Sequence, residues 1–433
     1  MERVSSKQTN ITREQKKVIG LLSVGTFLEY FDLMLYLHMA VLLNDLFFPE
    51  VDPYIKPFLT AATFCTTYVF RPFGALLFGW IGDTYGRKIT VILTTTIMSI
   101  SCLIMANLQT YSQIGIAATW IMMMCRILQG LSSMGEVVGA LLYLTEFIKP
   151  PASYRAVATI PIFCDLGTIC ALGIGTLVTS FNFEWRLAFW IGACIAIVGS
   201  IARRALRETP EFADAKKRVI NIQEKAGVLS DKKYVSSERI NKKSALSLFL
   251  MECTWPLSAY FAFFYCGELL KNNFGYSAGD VIQQNLIVAL FPLITSISIV
   301  FLCKYFHPLI VLKHRFIIST FIFALTPICI SLASNGFYIG IIQALIVAFA
   351  PDCKFASSVT YKHFPVFSRF KSAAFLYALS RAFTYVLTSF GLIYLVDYWG
   401  TIGLFVAMMS TLLFAGYGLN HFLSLEKKEG RVH

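Results

Sequence analysis

The sequence has little charge for its length. Of its 433 residues, 14% are charged and 56% are hydrophobic, and the mean hydropathy is +0.64. Soluble domains usually carry about a quarter charged residues, so a soluble enzyme is excluded. The apolar residues are too many for one water-facing core, and lipid must cover much of the surface. The sequence therefore predicts a polytopic membrane protein.

Several functional motifs are also missing. The 11 cysteines lie in apolar stretches and form no CxxC pair, so neither a disulfide framework nor a metal site is predicted. No G-x-x-x-x-G-K-[ST] run is present, which argues against a nucleotide-driven pump. No basic patch accompanies a nucleic-acid-binding module. Short outer loops and the lack of a His-x-x-x-Asp run argue against a membrane acyl- or glycosyltransferase. We expect no metal, no cofactor, no nucleic-acid partner and no enzymatic activity.

Long apolar runs predict an all-α integral membrane fold. Residues 89–125 and 316–351 contain no Asp, Glu, Lys or Arg, and a polar turn divides each run into two helices. A spanning helix needs about 20 mostly apolar residues. This rule predicts twelve transmembrane helices, of which the fourth is overlong and expected to protrude: 18–43, 57–81, 89–107, 114–146, 155–180, 186–204, 245–270, 281–303, 316–333, 337–361, 371–396 and 399–424.

The basic residues predict the orientation. With the N-terminus in the cytoplasm, thirty of the 37 Lys and Arg residues fall in cytoplasmic segments and two, Lys56 and Lys271, in outer loops. Both termini are therefore expected in the cytoplasm, and the net charge of +12 is mostly this positive-inside signal. No cleaved signal peptide is expected, because residues 1–17 are polar and the first apolar run contains carboxylates.

The polar segment 205–244 divides the chain in two. It separates six predicted spans from six, as in a transporter of two six-helix bundles joined by a loop. The expected parts are a cytoplasmic N-terminus (1–17), a first bundle (18–204), a central cytoplasmic loop (205–244), a second bundle (245–424) and a cytoplasmic tail (425–433).

The sharpest motif, Gly82-Asp83-x-x-Gly86-Arg87-Lys88, lies between spans 2 and 3. Glycines allow a tight turn and a close approach of helices. The carboxylate of Asp83 is suited to accept hydrogen bonds from a helix N-terminus. Arg87 can pair with an acid at the end of a neighbouring span, and Glu146 is the best candidate. We therefore expect a gating loop of Gly82, Asp83, Gly86, Arg87, Lys88 and Glu146.

This loop resembles the signature of the major facilitator superfamily. Further segments resemble its metabolite:proton symporter family, with the proline/betaine transporter branch nearest. The resemblance runs almost continuously over residues 25–212. The segments that carry it are Glu29-Tyr-Phe-Asp32, residues 47–53, Arg71-Pro72, residues 126–136, Trp185-Arg186 and residues 208–212. The resemblance implies a proton-coupled symporter of a small organic solute that works by alternating access.

The second half matches this family less well. Phe364-Pro365 with Arg369 and Ser372 resembles the family's turn before span 11. Between spans 8 and 9, where the loop signature should recur, the sequence reads Lys304-Tyr-Phe-His-Pro-Leu. A transporter-like sensor that has lost transport therefore stays open as an alternative.

Charged residues inside the first six spans are candidates for proton coupling: Glu29, Asp32, Arg126 and Asp165. Ionisable groups in a span cost roughly 2.5–3.5 kcal/mol each and usually line a water-filled path or pair with one another. Glu29 and Asp32 share a helical face, which Tyr36 extends, and neighbouring carboxylates favour each other's protonation. Arg126 should contact Asp165, Asp32 or Glu29, as a switchable or a static ion pair. Glu29 and Asp32 could instead only position helices.

The second half supplies candidates for solute binding. Asp352 and Lys354 follow Pro351, a predicted helix break, and Arg381 lies at similar depth. With Tyr36 they are the substrate-binding candidates. The two cations favour a di- or tricarboxylate such as 2-oxoglutarate, whereas the first half favours a proline- or betaine-like zwitterion. An internal salt bridge to Asp352 is an equally good interpretation. We expect a monomer in a bacterial inner membrane.

Overall fold

The structure is a computed structural model that describes residues 10–48, 56–181, 184–226 and 240–431. Within these ranges the secondary structure is helical, with no β-strand. Ten stretches of the described residues are long and apolar enough to cross a membrane. The rest of the predicted linker and both chain ends (227–239, 1–9 and 432–433) lie outside the described ranges.

The first bundle contains six spans. Span 1 is Arg13–Phe47, span 2 is Lys56–Thr84, span 3 is Arg87–Asn107, span 4 is Ile116–Ser132 continued by Val137–Phe147, span 5 is Ala152–Ala158 continued by Ile160–Phe181, and span 6 is Arg186–Arg203. A short helix, Tyr111–Ile114, connects spans 3 and 4, and the helix Pro210–Ala226 lies within the predicted central loop.

The second bundle contains the other six spans. Span 7 comprises Lys242–Glu252, Thr254–Tyr260, the π-helical turn Phe261–Tyr265 and Cys266–Phe274; span 8 is Ala278–Tyr305, span 9 is Pro308–Ser331, span 10 is Gly336–Phe349 continued by Ser357–Thr360, and span 11 is Arg369–Val386 with the π-helical turn Leu387–Gly391. A last helix, Leu392–Lys428, is kinked at Gly400 (φ 56°), which divides it between spans 11 and 12.

Spans 4 and 10 are interrupted where chemistry-bearing residues lie. A 3₁₀ turn, Ser133–Gly135, breaks span 4, so the predicted overlong helix is two helices, and its far end at Glu146 is buried against the second bundle. Span 10 breaks after Phe349, at the predicted position next to Pro351, because proline cannot donate the helical hydrogen bond. The break exposes backbone groups to local side chains and places Asp352 and Lys354 between two helical pieces.

The two bundles meet along two pairs of spans. Spans 2 and 11 touch at Tyr68 and Tyr385, whose ring centroids are 4.2 Å apart, and at Gly82, which packs on the Phe370 ring. Spans 5 and 8 touch through an apolar cluster that contains Leu172 and Ile282. The end of the molecule that carries residues 82–88, Glu146 and the start of span 11 is called the Asp83 end below.

Close helix packing in the first bundle depends on glycine. A Cβ atom on Gly130 of span 4 would lie 2.5 Å from the backbone oxygen of Thr67 in span 2. Real side chains do not tolerate such a contact with backbone, so the helices would have to separate. By contrast, a Cβ on Gly173 of span 5 would meet nothing within 4 Å.

We therefore expect Gly130→Ala to destabilise the bundle, by about 1–3 kcal/mol as is usual for overpacking. Thermal denaturation in detergent, followed by loss of monodisperse protein, measures the effect. Gly173→Ala is the matched control and should melt at the wild-type temperature or above it. Equal melting temperatures for Gly130→Ala and wild type would contradict the packing argument.

Candidate functional site

Asp32 forms a buried ion pair with Arg126. The Asp32 Oδ2 atom lies 3.1 Å from Arg126 Nη1, and the carboxylate is 6% exposed. Gln129 joins the pair, because its Nε2 donates to Asp32 Oδ1 (2.8 Å) and its Oε1 accepts from Arg126 Nη1 (2.8 Å). The Arg126 guanidinium also lies 3.8 Å from the Tyr36 ring centroid, a cation–π contact. Asp32 is therefore the predicted partner with which Arg126 forms its ion pair.

Glu29 is held by a different arginine. Its Oε1 lies 3.5 Å from Arg71 Nη1 of span 2, and its Oε2 accepts from the backbone N–H of Val137 (3.2 Å). That N–H is free because span 4 restarts at Val137 after its 3₁₀ break. The two carboxylates that the helical spacing places on one face thus have separate cations. The structure links Asp32 to span 4 and Glu29 to spans 2 and 4.

Lys354 lies between the two bundles. Its ammonium is 2.8 Å from Asp352 Oδ2 and donates to the Tyr30 hydroxyl of span 1 at 3.1 Å. It also lies 4.9 Å from the Trp255 ring centroid and 5.4 Å from that of Tyr30. Two aromatic rings on opposite bundles therefore flank a cation supplied by the chain itself. Lys354 is 1% exposed.

Arg381 is paired within the second bundle. Its Nη1 donates to Glu252 Oε2 and to the Glu252 backbone oxygen, both at 2.7 Å, and its guanidinium lies 3.8 Å from the Tyr377 ring centroid. Its Nη2 has no hydrogen-bond partner among the described residues. The structure thus pairs Lys354 with Asp352, the salt bridge that the alternative interpretation expects, and pairs Arg381 with Glu252.

Asp165 is placed away from Arg126. Its Oδ2 accepts from Ser296 Oγ of span 8 at 2.6 Å, a hydrogen bond between the bundles. It lines a small cavity with Arg315 and Asp352. Sequence depth alone could not separate Arg126 from Asp165, because both lie near the middle of their spans. Which faces those side chains take is decided by the packing.

The predicted gating loop closes the Asp83 end. Asp83 accepts from the backbone N–H groups of Phe370 (3.1 Å) and Lys371 (2.9 Å), so it caps span 11 of the opposite bundle. Gly86 has φ 126°, a conformation that side chains rarely adopt, and its neighbour Glu208 accepts from the backbone N–H of Lys88 (3.3 Å). The motif thus joins two bundles and the start of the central segment.

Arg87 and Glu146 form the expected pair. Both carboxylate oxygens of Glu146 accept from Arg87 at 3.0 Å, a bidentate geometry. Arg87 also donates to the backbone oxygen of Val366, and Arg369 of span 11 lies 3.2 Å from Glu146 Oε1. Arg369 Nη1 also lies 2.8 Å from Oε1 of a further carboxylate, Glu211. These contacts link the bundles by charge as well as by the Asp83 cap.

Some residues of the site were not anticipated from sequence. Gln129 bridges the Asp32 pair, and Arg203 pairs with Glu136 at 2.5 Å, with Thr95 close to both side chains. Each of these side chains is polar in an apolar span, which is the signal that could have found them. Nothing in the sequence says which polar residue would meet which.

The second half has a different cluster where the loop signature fails to recur. Glu426 of span 12 lies 2.9 Å from His363 Nε2 and 3.4 Å from His307 Nε2. His307 also packs edge-on to Tyr154 at the start of span 5. The second bundle therefore contacts span 5 through an aromatic histidine rather than through a carboxylate cap, and the two halves differ at this end.

Known proteins resemble this chain in sequence. The sequence model of the Major Facilitator Superfamily matches residues 22–361. A proline/betaine transporter of Salmonella typhimurium is 32% identical over 276 residues, covering 60% of this chain and 54% of that protein. One from Escherichia coli is 34% identical over 208 residues, covering 46% and 41%. The chain spans about half the length of the curated relatives it matches.

Solved structures resemble its fold. The proton:xylose symporter XylE bound to 6-bromo-6-deoxy-D-glucose has a TM-score of 0.74 at 14% identity, covering 95% of both chains. The human organic anion transporter MFSD10 has a TM-score of 0.67 at 16% identity, covering 94% of this chain and all of that one. The predicted arrangement of twelve transmembrane helices in two six-helix bundles is confirmed, and the chain belongs to the Major Facilitator Superfamily.

Proposed function

We propose that the chain is a secondary active transporter that moves a small organic solute together with protons by alternating access, and that it is not an enzyme. The observation that carries the proposal is the buried Asp32–Arg126 pair. A carboxylate at this depth is stable either paired with a cation or protonated. Exchange of Arg126 for a proton on Asp32 would change the contacts between spans 1 and 4, and this links proton binding to helix position.

The contacts at the Asp83 end support alternating access. In this structure the Asp83 cap and the Glu146 carboxylate hold spans 2, 4 and 11 together across the bundles. An alternating transporter needs such contacts to break and re-form. We propose that this end faces the cytoplasm of a bacterial inner membrane, with both termini inside, because thirty Lys and Arg residues follow that orientation. We further propose bundles 18–204 and 245–424 around the central loop 205–244, acting as a monomer.

The names of the sequence relatives favour a proline- or betaine-like zwitterion as the solute. In this chain, Tyr30 and Trp255 form the kind of aromatic pair that attracts a cationic head group. This zwitterion is our first candidate.

A di- or tricarboxylate such as 2-oxoglutarate is the second candidate. The specific observation in its favour is that Lys354 already occupies the space between Tyr30 and Trp255. An incoming carboxylate can replace Asp352 at the Lys354 ammonium, whereas an incoming quaternary ammonium would have to displace it. Uptake of labelled proline, glycine betaine and 2-oxoglutarate into proteoliposomes with an alkaline interior separates the two candidates. If folded protein takes up none of the three solutes, a transporter-like sensor is favoured instead.

Asp32→Asn should abolish solute accumulation driven by an imposed proton gradient, because the neutral side chain has no proton to release. Exchange of labelled for unlabelled solute should continue. Both activities are measured in the same proteoliposomes, with a protonophore as reference. The matched control is Asp280→Asn, a change at an exposed helix start, which should keep both. If Asp32→Asn loses exchange and accumulation equally, Asp32 is structural.

Lys354→Ala should weaken carboxylate binding selectively. A charged hydrogen bond contributes about 1.5–3 kcal/mol, so the Kd for 2-oxoglutarate should rise about tenfold or more. Binding is measured by calorimetry on purified protein. The double variant Asp352→Asn/Lys354→Met removes the pair without leaving a buried unpaired carboxylate, and should show the same loss. Unchanged affinity in both would return Lys354 to a structural role.

Asp83→Ala should favour opening of the Asp83 end, because span 11 loses two charge-assisted hydrogen bonds of about 1.5–3 kcal/mol each. Spin labels at the exposed positions Arg204 and Lys427, one on each bundle, report the distance by double electron–electron resonance. The exposed cysteines Cys170, Cys194 and Cys329 are first replaced by serine. We expect the long-distance population to grow by more than tenfold. If the distance distribution of Asp83→Ala is identical to those of wild type and of the comparison variant Asp83→Asn, the role of the cap is refuted.

A further inference from the structure

Arg315 and Asp165 lie at the contact between the bundles and have no ion pair among the described residues, unlike the buried carboxylates of the site. Arg315 of span 9 is 8% exposed and has no carboxylate within 4.0 Å among the described residues, although its Nη2 donates to the backbone oxygen of Ala348 at 2.9 Å. Its Nε has no hydrogen-bond partner there. Asp165 of span 5 has Ser296 as a hydrogen-bond donor and, in the same part of the chain, no basic partner at ion-pair distance. Asp32, Glu29, Asp352 and Glu252 each have one.

Asp165 and Arg315 face the same cavity. Its volume is about 10 Å³, and its wall also contains Ser296, Asp352 and the indole of Trp255. A single water needs roughly 10–15 Å³ and two to four polar partners. The cavity is therefore at the lower limit for one water molecule and offers enough polar groups to hold it. It is too small for an organic solute.

This cavity lies where the bundles touch. Asp165 belongs to span 5 of the first bundle, whereas Ser296, Arg315 and Asp352 belong to spans 8, 9 and 10 of the second. The Ser296 hydrogen bond is thus made only while spans 5 and 8 are in contact. Any motion that separates those spans removes the donor and the nearby Arg315 from Asp165 together. The state of this carboxylate is therefore tied to the position of the bundles.

The charges around Asp165 are nearly balanced. Arg315 and the Asp352–Lys354 pair face it from the second bundle. Glu29, on span 1, also interacts with the charge of Lys354. Because Lys354 is already neutralised by Asp352, Arg315 is the cation left to stabilise ionised Asp165. The Asp32 carboxylate differs, since Arg126 and Gln129 occupy both of its oxygens.

We propose that Asp165 is a second proton-binding residue of this chain, with Ser296 and Arg315 as its positioning residues at the contact between the bundles. The proton enters from water on one side of the membrane and leaves to water on the other, so that only an O–H bond at Asp165 forms and breaks. Separation of spans 5 and 8 opens the site and lets this proton exchange. The inference rests on the proposed proton coupling and names where a second proton is held.

Infrared difference spectroscopy of the full chain in lipid, stepped between acidic and alkaline buffer, tests the proposal without any solute. We expect a carboxylic acid C=O band that is missing in Asp165→Asn and retained in the control Asp280→Asn. Ser296→Ala keeps Asp165 and removes its hydrogen-bond donor, so the same band should shift in frequency. A band unchanged in both variants, or one already removed by Asp32→Asn alone, would overturn the assignment.

Gradient-driven uptake separates this proposal from the wider one. If wild-type protein accumulates none of the three labelled solutes under a proton gradient, proton-coupled transport of these solutes fails, while the infrared assignment of Asp165 is judged by its own band. If wild type accumulates a solute and Asp165→Asn accumulates it equally with the same pH profile, the second proton site fails and the proposed function stands. Loss of the pH dependence in Asp165→Asn, with exchange retained, is the expected result.

Discussion

The organisation of this protein depends on the free energy of an ionised side chain inside a bilayer. Each such group costs several kcal/mol unless it has a partner, and a bilayer supplies none. The described spans meet this constraint with ion pairs. Four of them join different helices: Asp32 with Arg126, Glu29 with Arg71, Glu136 with Arg203 and Glu252 with Arg381. A fifth, Asp352 with Lys354, lies within the break of span 10. The pairs fix which helices are neighbours.

The positions of these contacts, within a bundle or between bundles, also determine which parts of the fold can move. Within a bundle, ion pairs join helices that pack closely through glycine, and among them we propose exchange with a proton for the Asp32–Arg126 pair. Between bundles, the polar contacts include the Asp83 cap, the Glu146 cluster, the Lys354–Tyr30 hydrogen bond and the Asp165–Ser296 hydrogen bond. When the first three break, Asp83 and Glu146 keep Arg87 as a partner in the same bundle. Lys354 likewise keeps Asp352, whereas Asp165 loses its donor. The bundles are therefore suited to move as units.

At the Asp83 end, the two halves contact the opposite bundle through different kinds of residue. In the first half, a carboxylate caps the opposite bundle and an arginine binds Glu146 in bidentate geometry. In the second half, the corresponding turn contains His307, which packs on Tyr154. Both His307 and His363 lie within 3.4 Å of Glu426. Spans 2 and 11 are therefore joined by the Asp83 cap together with aromatic packing, whereas spans 5 and 8 are joined by apolar packing and one hydrogen bond.

The sequence by itself determined the spans, the 6+6 division, the tight turn of residues 82–88 and the Arg87–Glu146 pair. These follow from local properties: apolar length, charge position, and glycine spacing beside a carboxylate. It also showed that Asp32, Arg126, Asp165, Lys354 and Arg381 are ionisable groups in spans. Only the tertiary structure decided their partners, because a partner depends on how helices rotate and pack. Asp165 and Arg126 lie at similar depth, yet Arg126 faces span 1 within its own bundle and Asp165 faces span 8 in the other. That choice of face, set by side-chain packing between distant spans, is absent from any local pattern.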